Sequence, residues 1–184
     1  DLDVNFAEPF CFLMDMSMLG VGVGGDTLGA GKVTLRLPKQ GFEPYIVADT
    51  REGWVDLIRV ILNAFIGKGA LPVDIDFSHI RLKGTKLNGM GGTASGPAPL
   101  IELAKSLITL LTPSGQSPLF NRGAYGSAVH LHIDMIGADP RVTSKITVTQ
   151  IVDIFNYIGK CVVAGGVRRS AESMFGDPGS TEFL

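Results

Sequence analysis

Apolar positions along this chain fall into four helical stretches separated by short alternating runs and glycine-rich turns. Residues 7 to 19 (AEPFCFLMDMSML) read as a buried helix with Pro9 in its first turn, where a missing N–H costs little. Trp54, Leu57, Ile58, Ile61, Leu62 and Phe65 recur at helical spacing and predict a second helix. Asp49 and Glu52 are placed to form its capping box, and Gly67 and Gly69 to end it. A third helix is predicted from about Pro97 to Leu111. A fourth runs from Thr149 to Val163 on the stripe Ile151, Ile154, Phe155, Ile158 and Val162, with Thr147 and Gln150 as its cap. Strands are expected at residues 32 to 37, where Val33, Leu35 and Leu37 share one face, and at 45 to 48, 71 to 77 and 129 to 133. Residues 38 to 44, 84 to 96 and 112 to 126 read as turns, and residues 20 to 26 as a loop or strand. Short strands mixed with helices give an α/β class.

Composition narrows the function classes. With 45% apolar and 18% charged residues the chain is not intrinsically disordered. A formal charge of -2 argues against a groove that follows a nucleic-acid backbone. The longest apolar stretch, Phe10 to Gly24, is broken by Asp15 and too short for a membrane span. Two cysteines, Cys11 and Cys161, are too few for a disulfide scaffold, so a reducing, cytoplasmic setting is expected. At 184 residues the chain suits one domain with a subdomain. It opens on Asp1 rather than Met and stops at Leu184 without an obvious terminal element, so a piece of a longer protein is expected. Glycine is in excess, at 24 residues, which points to backbone-driven turns and close approach to ligands.

Several segments carry candidate chemistry. Gly20, Gly22 and Gly25 fit the dinucleotide spacing G-x-G-x-x-G, but that mechanism needs a strand before and a helix after, and here the order is reversed. A packed glycine turn or a nucleotide loop of another architecture fits better. His130, His132 and Asp134 alternate and would share one face of a strand, a conceivable metal set that lacks an evident fourth ligand. His79 reads as a surface histidine. Neither cysteine has the cationic surroundings of a reactive thiolate, and both read as inert packing. Residues 89 to 97 (GMGGTASGP) precede a helix, where exposed N–H groups can receive an anion or Ser95 can serve as N-cap. Gly165, Gly166, Val167, Arg168, Arg169 and Ser170 join two glycines, which free the backbone, to two guanidiniums suited to phosphate or a base edge. Glu172 is a potential partner for one of them.

Four runs occur in one order: FLMDMSMLGVGVGGDTLGAGKV, ADTREGW, GMGGTASGPAPL and IGKCVVAGGVRRSAE. Together they resemble the adenosylcobalamin-dependent (class II) ribonucleotide reductases, especially the monomeric ribonucleoside-triphosphate reductase type, over nearly the whole chain. The family more usually has Asn within an A-G-N-V-R-R run where glycine stands at 165 or 166.

That resemblance implies an α/β fold forming part of a ten-stranded barrel with an inserted effector-binding subdomain. Residues 1–34 would be a barrel segment with the glycine loop, 35–145 the insertion and 146–184 a barrel helix with the specificity loop. It implies ribonucleotide reduction by adenosylcobalamin-initiated thiyl-radical chemistry, with a ribonucleotide substrate, a deoxynucleotide effector, a dithiol reductant such as thioredoxin, and a monomeric enzyme. The radical-cysteine motif N-x-C-x-E is absent here, so no catalytic residue and no metal ligand is assigned. Gly165 to Ser170 would be the loop between effector and substrate base. Gly22, Gly24, Gly25 and Asp26 would lie under the substrate and effector region. The competing readings are a stand-alone nucleotide-binding module and a Rossmann-like oxidoreductase on Gly20, Gly22 and Gly25.

Overall fold

A computed structural model of the chain describes residues 5–87, 91–122, 129–135, 139–164 and 170–183. Four helices form its centre: α1 (Glu8–Met18), α2 (Arg51–Phe65), α3 (Ala98–Leu111) and α4 (Val148–Val163). They pack in a ring, α1 on α2, α2 on α3, α3 on α4 and α4 on α1. The predicted stripes turn inward, so that Leu13, Met14, Leu57, Ile61, Leu62, Leu100, Leu107, Ile154 and Ile158 are almost fully buried. Burying such a side chain is worth about 1.5–3 kcal/mol, and this shared core holds the helices together.

Helix ends follow local chemistry, with one correction. Thr147 and Gln150 form the expected capping box on α4. On α2 the cap is Thr50, not Asp49, because the Thr50 hydroxyl accepts from the Gly53 N–H at 2.9 Å. Asp49 is drawn away to Arg81 instead. Gly67 supplies the left-handed turn (φ 81°) just past α2. Ser95 does not cap α3, whose N-cap is Pro97.

Among the described residues, ten short strands form four separate sheets. β1 (Val23–Asp26) lies parallel to β10 (Glu172–Phe175), with Val23 opposite Glu172. β2 (Thr34–Arg36) runs antiparallel to β9 (Thr143–Lys145). β3 (Lys39–Gly41) is parallel to β5 (Ala70–Pro72). The largest sheet has the order β4 (Tyr45–Ile46), β6 (Asp74–Asp76), β8 (His130–Asp134), β7 (Leu119–Arg122). No sheet closes on itself among the described residues, so the mixed α/β class holds without a barrel being visible.

The strand predictions required three revisions. Residues 71 to 77 are not one strand. Pro72 cannot donate to a ladder, and the chain changes sheets there, β5 pairing with β3 and β6 with β4 and β8. The turn predicted at 38 to 44 contains β3, fixed through the Gln40 side-chain amide, which donates to the Ile133 carbonyl. The turn-rich stretch 112 to 126 contains β7, paired along β8.

Candidate functional site

One end of the helix bundle is concave. The last turns of α1 (Met18) and α4 (Val162) meet the first turn of α2 (Thr50, Arg51, Trp54), the loop after β6 (Ile80, Arg81) and the residues before α3 (Thr93 to Gly96). They enclose a cavity of about 150 Å³. Its floor is apolar, with Met18, Trp54, Ile80 and Val162 all buried. Its rim is polar and carries two guanidiniums.

Arg51 is held by two carboxylates and Arg81 by that of Asp49. Arg51 Nη1 meets Asp15 Oδ1 at 2.8 Å and its Nη2 donates to Glu52 Oε1 at 2.8 Å, tying α1 to α2. Arg81 Nε donates to Asp49 Oδ2 at 2.6 Å, and its Nη2 lies 3.4 Å from the Asp49 main-chain oxygen. A hydrogen bond from its own backbone N–H, with help from Arg51, holds the Glu52 carboxyl below its usual range. α2 and α3 both begin at this cavity, and a helix start carries partial positive charge. An apolar floor beneath cationic donors suits a flat, partly apolar ligand with an anionic group.

Two of the runs that carried the family resemblance, ADTREGW and GMGGTASGPAPL, supply most of this wall. Sequence reading had marked residues 89 to 97 as a potential anion loop, and residues 93 to 96 do line the cavity. It had not singled out Asp49, Arg51, Trp54 or Arg81 as a site. Nothing in local spacing shows that the start of α2, the loop after β6 and the approach to α3 converge.

The predicted glycines have other surroundings. Gly25 sits in β1 beneath Phe155 of α4, where an added Cβ would lie 2.2 Å from the ring. A Cβ added at Gly24 would lie 3.4 Å from the Phe175 ring, and Gly22 lies beside Ala171 with ordinary room for a Cβ. Asp26 closes a turn by accepting from the Leu28 N–H at 2.9 Å. A strand, not a helix, follows Gly20 and Gly22, and Gly25 serves helix packing, so the Rossmann reading fails. Gly24, Gly25 and Asp26 line a second, mostly apolar cavity of about 480 Å³ with Phe6, Phe10 and Phe155. That cavity lies toward the start of α4, whereas the arginine-rimmed one lies toward its end. Gly165, Gly166, Val167, Arg168 and Arg169 fall outside the described residues. Ser170 follows them, and Ala171 accepts from the Val23 N–H at 2.9 Å, so Gly22 adjoins the residue after Ser170.

His130, His132 and Asp134 share a face of β8 as expected. His130 stands between Asp74 (3.0 Å) and Asp76 (3.4 Å), and His132 is 3.5 Å from Asp134. Burial pushes the Asp76 carboxyl up, but hydrogen bonds from Ser78 and the nearby His130 and His79 outweigh it and leave it below its usual range. Among the described residues no group of three or more His, Cys, Asp or Glu is placed to hold a metal ion. His79 is exposed. Both cysteines are buried, and burial raises the Cys11 thiol to about 12, in keeping with inert packing. Among the described residues no helix is long and apolar enough to cross a membrane.

Known proteins resemble this chain in sequence and fold. Residues 27–111, from the end of β1 through α3, match the family model described as B12-dependent ribonucleotide reductase, insertion domain. The adenosylcobalamin-dependent ribonucleoside-triphosphate reductase of Euglena gracilis is 43% identical over the whole chain. A probable enzyme of the same name from Dictyostelium discoideum is 36% identical, also over the whole chain. The chain spans 22% and 23% of their lengths. A crystal structure of a B-12 dependent (class II) ribonucleotide reductase aligns over 97% of this chain and 26% of its own, with a TM-score of 0.62 and 26% identity. Sequence and fold thus agree from end to end, and the chain resembles, over its whole length, a segment of the adenosylcobalamin-dependent (class II) ribonucleotide reductases that includes their insertion domain.

Proposed function

We propose that this segment is the nucleotide-sensing part of a full-length enzyme that reduces ribonucleotides to deoxyribonucleotides, and that the arginine-rimmed cavity receives a deoxynucleotide effector. The observation that carries this reading is the convergence of ADTREGW and GMGGTASGPAPL on one pocket at the end of the bundle. Trp54, Met18 and Ile80 offer an apolar bed for base and sugar. The Arg81 guanidinium and two helix starts offer donors for phosphates. Val162 forms part of the wall, and three residues later begins the segment Gly165 to Ser170, assigned from its sequence to reading the substrate base. A nucleotide held beside α4 could then bias that segment, at a coupling of about 1–3 kcal/mol typical of allosteric pairs.

The domain boundaries 1–34, 35–145 and 146–184 belong to the same proposal. So does the ten-stranded barrel. Parallel strands seldom stand as an isolated pair, and the pair β1 and β10 carries an exposed Phe175, which supports further strands from the rest of the enzyme. When bound, adenosylcobalamin would supply the initiating radical by cleavage of its cobalt–carbon bond. This segment does not fit that group: the 480 Å³ cavity is too small for a corrin with its side chains. Substrate, dithiol reductant and cofactor are therefore assigned to the full-length enzyme, read as a cytoplasmic monomer.

The test uses the full-length enzyme. Thr93 is exposed on the cavity wall, and Thr93→Trp should plug it, reducing deoxynucleoside-triphosphate affinity in equilibrium dialysis. Replacing Arg168 and Arg169 with Ala should flatten effector-dependent substrate preference while the pocket still binds effector. Unchanged affinity in the plugged variant would discard the pocket.

A further inference from the structure

The two guanidiniums on the cavity rim are not equivalent. We infer that Arg81 is the residue that grips the phosphates of the ligand, that Asp49 is its positioning residue, and that Arg51 is a clasp between helices. This inference rests on the effector pocket proposed above and assigns roles within it.

The donors decide the matter. Arg51 has both terminal nitrogens engaged, Nη1 by Asp15 and Nη2 by Glu52, each at 2.8 Å. A phosphate at Arg51 would have to approach between two carboxylates, one at each terminal nitrogen. Arg81 is engaged along its side edge only. Its Nε meets Asp49 Oδ2 at 2.6 Å and its Nη2 turns to the Asp49 main-chain oxygen at 3.4 Å. Among the described residues the carboxylate paired with Arg81 is that of Asp49, met through Nε. The end of the guanidinium, Nη1 with the outer hydrogen of Nη2, is the fork that matches two oxygens of a phosphate.

Asp49 is well placed to aim that fork. It lies between β4 and the Thr50 cap, and its side chain and main chain hold the arginine at two points, so the guanidinium loses little freedom on binding. The Arg81 side chain is 41% exposed, open to an arriving anion. The carboxylates Asp15, Glu52 and Asp49 offset the charge of the two arginines, so bulk positive charge does not explain anion binding here. Orientation of one fork, beside the starts of α2 and α3, does.

The test compares matched variants of the full-length enzyme, with a deoxynucleoside and its mono-, di- and triphosphate as probes in equilibrium dialysis. Arg81→Gln should weaken the triphosphate by about ten- to a hundredfold, as expected for loss of a charged hydrogen bond, and leave the unphosphorylated nucleoside nearly unchanged. Arg51→Gln should alter the triphosphate by no more than about threefold, a rim-charge effect. Arg81→Lys keeps the charge without the fork and should recover only part of the loss, which also covers the case where Arg81→Gln folds poorly. Asp49→Asn should flatten the gain in affinity from mono- to triphosphate, a change that a merely structural anchor would not produce. Equal losses for Arg51→Gln and Arg81→Gln, or equal losses for nucleoside and triphosphate in Arg81→Gln, overturn the assignment while leaving the pocket standing. Failure of Thr93→Trp to disturb any of the four probes overturns the pocket and this inference together.

Discussion

Replacing Gly25 by Ala separates a packing role from a ligand role for the glycine loop. Its Cβ would lie 2.2 Å from Cζ and 2.8 Å from Cε1 of Phe155, where ordinary contact begins near 3.4 Å. The ring has to retreat by roughly an ångström, yet it is only 5% exposed and meets Phe10 edge-on at a 5.9 Å centroid distance. Overpacking of this kind costs about 1–3 kcal/mol. Gly25 does not have a positive φ, so alanine there also recovers about 0.4–1 kcal/mol from the unfolded chain. Net destabilisation of about 1–2 kcal/mol is expected from these two contributions. Gly22→Ala is the control, since its Cβ would sit 3.7 Å from the Ala171 oxygen and fit without strain. Urea denaturation followed by circular dichroism reads both, and Gly25→Ala with Phe155→Leu should recover at least about 0.5 kcal/mol of the summed single losses. Should Gly25→Ala prove as stable as Gly22→Ala, the assignment of Gly25 to helix packing is wrong.

Two further outcomes follow from backbone and charge. Gly53→Ala lies inside α2, where helix propensity alone favours alanine by about 1 kcal/mol, but its Cβ would stand 2.6 Å from the Ala48 carbonyl oxygen, and backbone cannot give way. The substitution should therefore destabilise the protein in urea, and a gain in stability would contradict the close approach. Glu182 accepts from the Thr149 N–H at 2.9 Å at the start of α4, and that backbone hydrogen bond holds its carboxyl below the usual 4.5. A depressed carboxylate contributes stability above its unfolded value and loses it as pH falls through the folded one. Glu182→Gln should therefore lower the melting temperature near neutral pH, with the difference from the parent chain shrinking below about pH 4.5. A difference that persists unchanged at pH 3 would show that the charge is not what matters.

Much of the bundle was legible along the chain. The stripes of α2 and α4 were readable because burial of one helix face writes a period of three to four residues into the sequence. The Thr147–Gln150 cap was readable because it is closed within four residues. The Asp49–Glu52 cap was misassigned because both Asp49 and Thr50 are good capping residues. Arg81, thirty-two positions away, settled the choice by claiming Asp49. The alternation at 129 to 133 foretold β8, yet β3, β5, β6 and β7 depended on partners that no local pattern names.

The sequence by itself determined the helices, the α/β class and, through four ordered motifs, the family it resembles, since those depend on neighbours along the chain or on the identity of whole runs. Only the tertiary structure decided that Pro72 divides two sheets, that Gly25 yields its side-chain space to Phe155, and that Arg51 pairs with two carboxylates and Arg81 with Asp49. Strands of three residues carry too little pattern to specify their partners. A pocket assembled from five separate segments exists only once the helices have packed and carried those segments to the same end of the bundle.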